Sequence, residues 1–357
     1  MKIAIIGSGN IANTHAQELT GMGKKISLVV GAVQEEMEQF QKTWNIEESS
    51  LDFSRALKDD IDIVHVCTPP TLHYEMVKEL ILAGKHVICE KPLCLTAAEA
   101  KNLYETASEK GVVTAVNFNV RYHQACGEFR KKVTSDAFGR LCLVHGTYEQ
   151  EFHALPADYM WRYQEALAGP MRATTEIGSH WIDLVRFLTG HEITEVSATY
   201  GKFTPDRYIK DGMMYESPQD GAEKIHVDSD DAVIAALRFD NGAIGNLFLS
   251  EVTHGRSNYV SMEITGTNQT VSWNSEDPYK LKTATKFGGT LCETNAFAGG
   301  FPNTFSSFFR EVYKDMEAGV PSKEPTYPTF KDGYLNAAIC EAIYTSANSD
   351  SKWTEVK

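Results

Sequence analysis

The sequence predicts an α/β fold: an N-terminal doubly wound parallel sheet, followed by an α+β domain with a large, open, mostly antiparallel sheet. A glycine-rich turn directly after the first apolar strand is one reason. Uninterrupted apolar strands also alternate with helical segments up to Arg121, and the later strands alternate in polarity. We therefore expect two domains, comprising residues 1–121 and 122–357.

The strands of the first domain are continuous apolar runs, which is typical of parallel strands buried on both faces. They are predicted at Lys2–Ile6, Ile26–Val33, Ile61–Cys67, His86–Cys89 and Val112–Phe118. The helices between them are predicted at Asn10–Met22, Thr71–Ala83 and Thr96–Lys110. A sheet of this kind binds its ligands beyond the carboxyl ends of the strands.

The strands of the second domain are longer, with one polar and one apolar face. They are predicted at Leu141–Phe152, Glu195–Phe203, Ala232–Phe239, Ala243–Glu251 and Val260–Thr265, and two closing helices at Thr304–Met316 and Lys331–Ala347. Asp240-Asn241-Gly242 predicts a hairpin turn. The polar segment 206–223 is predicted to be a surface loop.

One face of this second sheet is predicted to need a cover. Apolar residues alternate along two neighbouring strands, at Val233, Ala235, Leu237, Ile244, Leu247 and Leu249. An open sheet with an exposed apolar face is unfavourable in water. We therefore expect a homodimer or a homotetramer that forms through the C-terminal sheet.

Composition excludes several classes of function. The net charge of −14 argues against nucleic acid as a ligand, and its simplest explanation is solubility. The apolar runs are too short to cross a bilayer, and the N-terminus lacks a signal-peptide pattern, so we expect no membrane partner. Seven cysteines without a Cys-x-x-Cys pair indicate reduced thiols, as in the cytoplasm.

The turn Gly7-Ser8-Gly9-Asn10-Ile11-Ala12 predicts a dinucleotide site. Gly7 permits a tight turn, Gly9 lets the backbone approach a pyrophosphate, and the small Ala12 lets the helix pack on the strand. The helix N-terminus then presents N–H groups to the phosphates. An ordinary strand-to-helix turn is the alternative.

The choice of dinucleotide rests on the end of the second strand, Val29-Val30-Gly31-Ala32-Val33-Gln34. This stretch contains neither the acidic residue that grips an adenosine ribose nor an arginine that would accept a 2′-phosphate. Gln34 can bond ribose hydroxyls. We therefore favour NAD over NADP.

Two further strand ends carry polar groups. Thr68-Pro69-Pro70, with His73 one turn later, stiffens the cofactor edge, although it can also be a plain strand stop before a helix start. Glu90-Lys91-Pro92 places an amine where a nicotinamide would react.

These motifs occur together, and in order, in one known family. They are Gly7-x-Gly9-x-x-Ala12, Cys67-Thr68-Pro69-Pro70-x-x-His73, Gly84-Lys85-His86-Val87-x-x-Glu90-Lys91-Pro92 and Gly178-x-His180-x-x-Asp183-Leu184. The chain resembles the glucose–fructose oxidoreductase / inositol dehydrogenase / MocA family from end to end, including Trp161-Arg162 and Val227-Asp228-x-Asp230-Asp231. The resemblance implies a Rossmann domain, a second domain whose open sheet faces a partner subunit, and NAD(P)-dependent oxidation of sugars or cyclitols.

The resemblance also implies roles for single residues. Lys91 matches the lysine that bonds the reacting hydroxyl and helps to move its proton, and Glu90 borders the nicotinamide site. His180 matches the histidine that binds or deprotonates the substrate hydroxyl. Many members have aspartate where this chain has Glu176, which keeps the charge but moves the carboxylate.

The chemistry of these residue types agrees with such roles. A hydride leaves a carbinol carbon only as the hydroxyl proton leaves, and a lysine beside a cationic nicotinamide has a lowered pKa. Glu176, His180 and Asp183 are spaced to share one helix face. A metal site or a purely structural helix are the alternatives; without a further Cys/His cluster we expect no metal.

Other polar and aromatic residues are expected around the ligands. Arginine gives fixed donors for sugar hydroxyls, and tryptophan gives a flat apolar face for a pyranose ring, although structural roles are the alternative. Candidates for the substrate are Arg121, Tyr122, His153, Trp161 and Arg162. Candidates for the cofactor, in addition to those above, are Asn119, Trp161 and Arg162.

The Gly-Ser-His-Trp-Ile-Asp-Leu form of the last motif, with Tyr159-Met160-Trp161-Arg162, resembles the branch that contains levoglucosan dehydrogenase and glycoside 3-dehydrogenases. This implies oxidation of a ring secondary hydroxyl, at C3. The alternatives are reduction of a keto or anhydro sugar with NADPH, a redox module with a permanently held cofactor, and a non-catalytic sensor of sugars and dinucleotide. Lys91 and His180 argue against the sensor, which needs no proton path.

Overall fold

The computed structural model describes residues 1–295 and 300–357, which form two compact units. The first comprises Met1–Tyr122 together with helix Phe301–Ala318 and the following chain up to Ala337. The second begins at His123 and resumes at Ala338. The first unit thus includes a segment from late in the chain. The predicted division at residue 121 had placed all later residues in the second domain. The expected assignment of cofactor and substrate to separate domains stays a prediction.

In the described part of the first unit, six strands form one sheet, called here the parallel sheet. Their order is Glu48–Ser50, Ile26–Val30, Ile3–Ile6, Ile63–Val66, His86–Cys89, Thr114–Val116. All neighbouring pairs are parallel. The strand order reverses beside Ile3–Ile6, and such a switch point opens a crevice at the carboxyl ends of the strands.

Helices cover both faces of the parallel sheet. One face packs against helices Asn10–Gly21, Gln34–Trp44 and Phe301–Ala318. The other packs against helices His73–Leu82 and Ala97–Lys110 and the start of helix Phe330–Ala347. Burial on both faces explains why these strands are continuous apolar runs.

The second unit is built on the large sheet, which has nine strands within the described residues. Their order is Gly289–Thr294, Lys280–Thr285, Gln269–Asn274, Tyr259–Gly266, Leu141–Glu149, Ile244–Ser250, Ala232–Phe239, Ile193–Gly201, Thr354–Glu355. The pairing is antiparallel except between Leu141–Glu149 and Ile244–Ser250. Its helices are Gln124–Val133, Glu165–Ala168 and Ser179–Thr189, the last preceded by a π-helical turn, Thr174–Gly178. The predicted fold class is therefore confirmed.

Two details of the prediction are wrong. Segment 206–223 is not a plain loop, because strands Asp206–Lys210, Met213–Tyr215 and Glu223–His226 join Ala157–Asp158 in a small separate sheet. Ile244 does not share a face with Leu247 and Leu249: it is 56% exposed, whereas those two leucines are buried. In a strand, side chains an odd number of positions apart point to opposite faces, and residue 244 is an odd number of positions from both 247 and 249.

The apolar face predicted to need a cover is buried by the chain's own helix. A Cβ on Gly178 would lie 2.6 Å from the Leu249 side chain, and the Trp181 indole donates to the Ser261 carbonyl at 3.1 Å. The opposite face also carries apolar side chains, at Leu143, Ile234, Ile244 and Phe248. Ile234 pairs with Phe248 and Ile244 with Leu143 across the strands, so these four residues form an exposed apolar patch.

Among the described residues, no helix combines the length and the apolar character needed to cross a membrane. The seven cysteines carry free thiols. Burial raises the pKa of the Cys67 and Cys89 thiols far above the usual range, which makes them unreactive packing groups.

The stability of the second unit is expected to depend on the ionisation of His123. The ring is 8% exposed and packs 5.2 Å from the Trp273 ring, and within residues 1–295 and 300–357 its Nδ1 has no hydrogen-bond partner. Burial lowers the pKa of His123 to about 4. An unfolded histidine titrates at about 6.5, so below that pH the unfolded chain binds a proton that the folded chain does not.

We expect the free energy of unfolding to fall as pH falls from about 6.5, with His123 contributing up to about 1.4 kcal/mol per pH unit. His123→Phe should remove this contribution in urea unfolding followed by tryptophan fluorescence. His254→Phe, at an exposed side chain, is the control. An unchanged slope in His123→Phe contradicts the prediction.

Candidate active site

The candidate site of the first unit begins at its glycine turn. Gly7 has a φ of +110°, and a Cβ there would lie 2.6 Å from the Cys67 carbonyl oxygen, so only glycine fits. Its N–H donates to the Val30 carbonyl at 2.8 Å. Gly7 therefore ties three strand ends together at the switch point.

Gly9 caps helix Asn10–Gly21, and its cap has two features that fit a bound phosphate. In the described structure no side chain accepts from the helix N-terminus, and no atom lies within 4 Å of a Cβ placed on Gly9. Ser8 and Ile11 are partly exposed and Asn10 is exposed. The turn thus offers N–H donors and open space, as a dinucleotide pyrophosphate requires.

Gln34 begins helix Gln34–Trp44 just after the second strand, and its exposed side chain donates to Glu38. Thr68 and Pro69 are partly exposed at the end of strand Ile63–Val66. Both positions are at the carboxyl edge of the parallel sheet. Their contact with a cofactor stays a prediction.

His73 is fully buried rather than open at this edge. Its Nδ1 lies 2.9 Å from the Pro92 carbonyl oxygen, and its Nε2 lies 2.9 Å from the Thr68 carbonyl oxygen. Burial lowers the pKa of His73, although both carbonyls and the Glu90 charge oppose that effect. His73 therefore joins the loop of Thr68 to the loop of Lys91, and it can act on a cofactor only through them.

Glu90 and Lys91 follow strand His86–Cys89 at the same edge. Glu90 is 6% exposed and accepts from His15 at 2.8 Å and from the Asn117 amide. Burial favours a raised pKa for the Glu90 carboxyl, but these hydrogen bonds and the Lys91 charge outweigh it and hold the pKa below the usual value. The site therefore combines a carboxylate with a partly exposed lysine.

The turn Asn119–Tyr122 ends the candidate site of the first unit. The Asn119 amide donates to Thr304 at 2.7 Å, and the Arg121 guanidinium pairs with Asp332 at 2.9 Å. Arg121 is 9% exposed, and the Tyr122 ring packs on Phe308. These contacts fix the turn. The expected ligand contacts of Asn119, Arg121 and Tyr122 stay predictions.

The second unit brings together four residues that were singled out separately. Arg162 Nε lies 2.9 Å from the Glu176 carboxylate, and the Arg162 guanidinium stacks 4.7 Å from the Trp161 ring centroid. His153 Nε2 lies 3.8 Å from the same carboxylate. Burial lowers the pKa of His153, although Glu176 opposes this. The sequence made Arg162 a candidate for both ligands and Glu176 a candidate for the substrate; the structure makes them an ion pair.

His180 lies one turn beyond Glu176, on helix Ser179–Thr189, with its ring 6.4 Å from the Tyr148 ring. Glu176 itself lies in the π-helical turn Thr174–Gly178, which is wider than an α-helical turn. The face expected from α-helical spacing therefore holds only from Ser179 onward. Single π turns occur often at functional sites.

Beneath these residues lies a buried cluster of charges that the sequence did not predict. Arg172 pairs with Glu251 at 3.1 Å and with Asp231, which also binds Arg207 at 2.8 Å. Both guanidiniums lie over the Tyr163 ring, and burial raises the pKa of Tyr163 to about 12. The Tyr163 hydroxyl bonds His153 Nδ1, so the cluster orients this histidine. The only signal for it was the Asp230-Asp231 motif.

His153, Glu176 and Glu251 each offer an atom within 4.8 Å of the others, a spacing that a metal ion could use. Both carboxylates, however, already pair with Arg162 and Arg172. A cation would have to compete with two guanidiniums, which is unfavourable. The geometry is therefore explained by ion pairs, and the expected absence of a metal stays a prediction.

The fold and the glycine turn define a dinucleotide-binding oxidoreductase, and comparison with known proteins gives its family. Residues 1–118 match the model of the oxidoreductase family with an NAD-binding Rossmann fold, and residues 127–272 match the GFO/IDH/MocA C-terminal domain. Levoglucosan dehydrogenase of Pseudarthrobacter phenanthrenivorans is 30% identical, over 100% of this chain and 98% of that protein. Inositol 2-dehydrogenase of Rhizobium meliloti is 24% identical, over 97% and 96%.

A solved structure of levoglucosan dehydrogenase in complex with NADH and L-sorbose has a TM-score of 0.91 at 30% identity, covering 100% of this chain and 99% of that chain. The chain belongs to the GFO/IDH/MocA family of NAD-binding oxidoreductases. The predictions of family, of a nicotinamide-dependent dehydrogenase and of NAD as cofactor are confirmed.

The two glycines of the turn should respond differently to substitution. Gly9→Ala meets no neighbouring atom and has a permitted backbone, so we expect an unchanged melting temperature. Its methyl would occupy the space of the pyrophosphate, and NAD affinity should fall about tenfold or more. Gly7→Ala should lower the melting temperature itself, because its Cβ would meet the Cys67 carbonyl. Calorimetry of NAD binding and thermal unfolding measure both, and full NAD affinity in Gly9→Ala contradicts the predicted site.

Proposed function

We propose that the protein oxidises a secondary hydroxyl of a sugar, glycoside, anhydrosugar or cyclitol, with NAD as hydride acceptor. The observation that carries the proposal is the carboxyl edge of the parallel sheet. There a dinucleotide turn follows strand Ile3–Ile6, and a buried carboxylate at Glu90 and a partly exposed lysine at Lys91 follow strand His86–Cys89, with strand Ile63–Val66 between the two. Bound NAD accepts a hydride, and the protein must then receive the hydroxyl proton.

Lys91 is the group proposed to bond the hydroxyl and to take its proton. An amine at a strand end is fixed in place, and a nearby cationic ring favours its neutral form. His180, on a helix that is anchored by a buried tryptophan, is proposed to bind or deprotonate a substrate hydroxyl. Glu176 is proposed to bind a substrate hydroxyl, since its carboxylate is held by Arg162 and partly exposed.

The substrate class follows from the side chains of the second unit. Arg162, Glu176 and His153 offer charged donors and acceptors close together, and Trp161 offers an aromatic face beside them. This combination suits a ring with several hydroxyls and exposed C–H groups. The relatives named for levoglucosan and inositol act on such rings, which supports ring polyols as substrates here.

The proposal predicts a specific loss of turnover in Lys91→Ala. On a panel of sugars, anhydrosugars, glycosides and inositols, nicotinamide absorbance should report turnover with NAD for one class. That turnover should fall about 10²-fold or more in Lys91→Ala, with NAD affinity retained.

Lys101→Ala, at a lysine 53% exposed on helix Ala97–Lys110, is the matched control and should keep full activity. Turnover that survives in Lys91→Ala contradicts its role in proton transfer. Cofactor binding without turnover on any class supports the sensor alternative instead.

We also propose that the protein forms a homodimer or homotetramer through the exposed apolar patch of Leu143, Ile234, Ile244 and Phe248. Ile234 is 62% exposed, and exposed apolar residues grouped on one face of a sheet mark an interface. Ile234→Glu should therefore lower the molar mass measured by light scattering to that of a smaller assembly. Val320→Glu, at an equally exposed residue of the first unit, should not. An unchanged mass in Ile234→Glu contradicts this interface.

A further inference from the structure

Behind Glu90, a chain of hydrogen bonds runs through the interior of the first unit. Glu90 Oε1 lies 2.8 Å from His15 Nε2, and His15 Nδ1 lies 2.9 Å from His65 Nδ1. His65 Nε2 lies 2.9 Å from the Tyr313 hydroxyl. The Asn117 amide donates to the same oxygen of Glu90. The proposed reaction makes no use of His15, His65 or Tyr313.

The chain is buried along its whole length. His15 and His65 are 0% exposed and Tyr313 is 2% exposed. The edges of both imidazoles pack against the Phe309 ring, at 5.0 and 5.1 Å between centroids. Buried polar groups in apolar surroundings must satisfy each other, because each unsatisfied group is costly. The position of every proton in the chain is therefore constrained.

The charge of Glu90 decides the direction of the whole chain. A carboxylate can only accept, so His15 must carry its proton on Nε2. In a neutral His15 the Nδ1 then accepts, and His65 must carry its proton on Nδ1. The free Nε2 of His65 accepts from the Tyr313 hydroxyl. Three donors thus point one after another toward Glu90, and such aligned bonds polarise each other. A proton on Glu90 Oε1, donated to His15, would reverse every bond.

The ionisation of the members supports the first direction. The Glu90 pKa is lowered, as described above. Burial lowers the pKa of His65 well below its usual value, so this ring is neutral. Burial, with Glu317, raises the pKa of Tyr313 far above its usual value, so the hydroxyl keeps its proton.

We propose that His15, His65 and Tyr313 are positioning residues that hold Glu90 as a carboxylate beside Lys91, so that the first unit favours oxidised NAD over NADH. Oxidised nicotinamide carries a positive charge that the reduced ring lacks, and a fixed carboxylate at this edge attracts it. The inference rests on the proposed function for its effect on turnover. Its effect on nicotinamide binding does not depend on any substrate.

Other titratable groups also act at the two ends of the chain. Those that interact with Glu90 beyond the chain are Lys91, His73, Cys67 and Cys89. At the far end, Lys24 lies over the Tyr313 ring and pairs with Glu317. The two cysteines and His73 remain neutral near pH 7, because burial raises the thiol pKa values and lowers that of the imidazole. Any test of the Glu90 charge must therefore distinguish it from the charge of Lys91.

The test compares Tyr313→Phe with Tyr327→Phe. Tyr327 is also buried in the first unit and donates to a carboxylate, that of Asp315, but it is not connected to Glu90. Dissociation constants for NAD and NADH are measured by calorimetry without substrate. Tyr313→Phe should shift their ratio toward NADH by about three- to tenfold, the loss expected for one hydrogen bond. Glu90→Gln should shift it at least as far, and the double variant no further than Glu90→Gln alone.

Nitrogen NMR of ¹⁵N-histidine-labelled wild type, free of cofactor, tests the proton positions directly. The proposal requires His15 as the neutral Nε2–H tautomer and His65 as the neutral Nδ1–H tautomer at about pH 7. A protonated His15 or His65, or the opposite tautomers, overturns the proposal, whether or not the variants fold.

Turnover gives the last readout. With a substrate in hand, the pH dependence of kcat/KM should change in Tyr313→Phe, because the hydrogen-bonded residues act on Glu90 and the Glu90 charge acts on Lys91, and it should stay in place in Tyr327→Phe. Equal behaviour of the two variants in binding and pH profile overturns the inference while leaving the proposed function intact. Absence of turnover on every sugar ends the proposed function, while the binding ratio and the NMR data still decide the inference.

Discussion

The burial of one carboxylate at the end of a strand is the interaction on which the candidate site of the first unit depends. Glu90 sits almost out of solvent, where a lone carboxyl would take up a proton. It stays charged because His15, on the helix that begins at the glycine turn, and Asn117, beyond the strand at the edge of the sheet, both donate to it. The glycine turn and the lysine are thus held in register by the same hydrogen bonds.

The second unit also buries charged groups, in larger number. Arg172, Arg207, Asp231 and Glu251 are almost completely buried, and each is paired. Moving such ions out of water costs much of the free energy that their mutual attraction restores. The cluster therefore adds little net stability, even though its geometry is good. Removal of one partner would leave an uncompensated charge. The cluster is better understood as a rigid base that orients His153 and, through it, the neighbourhood of Glu176.

Sequence patterns could predict the strands because parallel strands covered on both faces leave long apolar runs, as at Ile63–Val66. The same reasoning misses strand Glu48–Ser50 and the small sheet that includes Asp206–Lys210, since short polar strands carry no apolar alternation. Motifs located the glycine turn and Lys91. They could not show that His73 faces two carbonyl groups, because that depends on how two loops meet.

Contacts between distant parts of the chain were equally invisible. His15 and His65 are 50 residues apart, and each alone is an ordinary histidine in an apolar segment. Arg172 lies in a stretch without periodicity, so nothing indicated that it would be buried among carboxylates. The pairing of Arg162 with Glu176 likewise joins two residues whose contact no sequence pattern indicated.

The late helix Phe301–Ala318 has a consequence for biosynthesis. It supplies Phe305, Phe308 and Val312 to the same apolar cluster as Ile3 and Ile5, at the very beginning of the chain. During translation one face of the parallel sheet is covered only in part, by helices Asn10–Gly21 and Gln34–Trp44, until the ribosome has released this helix, roughly 10–40 s after Tyr122 at ordinary elongation rates. The N-terminal segment therefore cannot complete its core as a nascent domain and stays incompletely packed in the meantime.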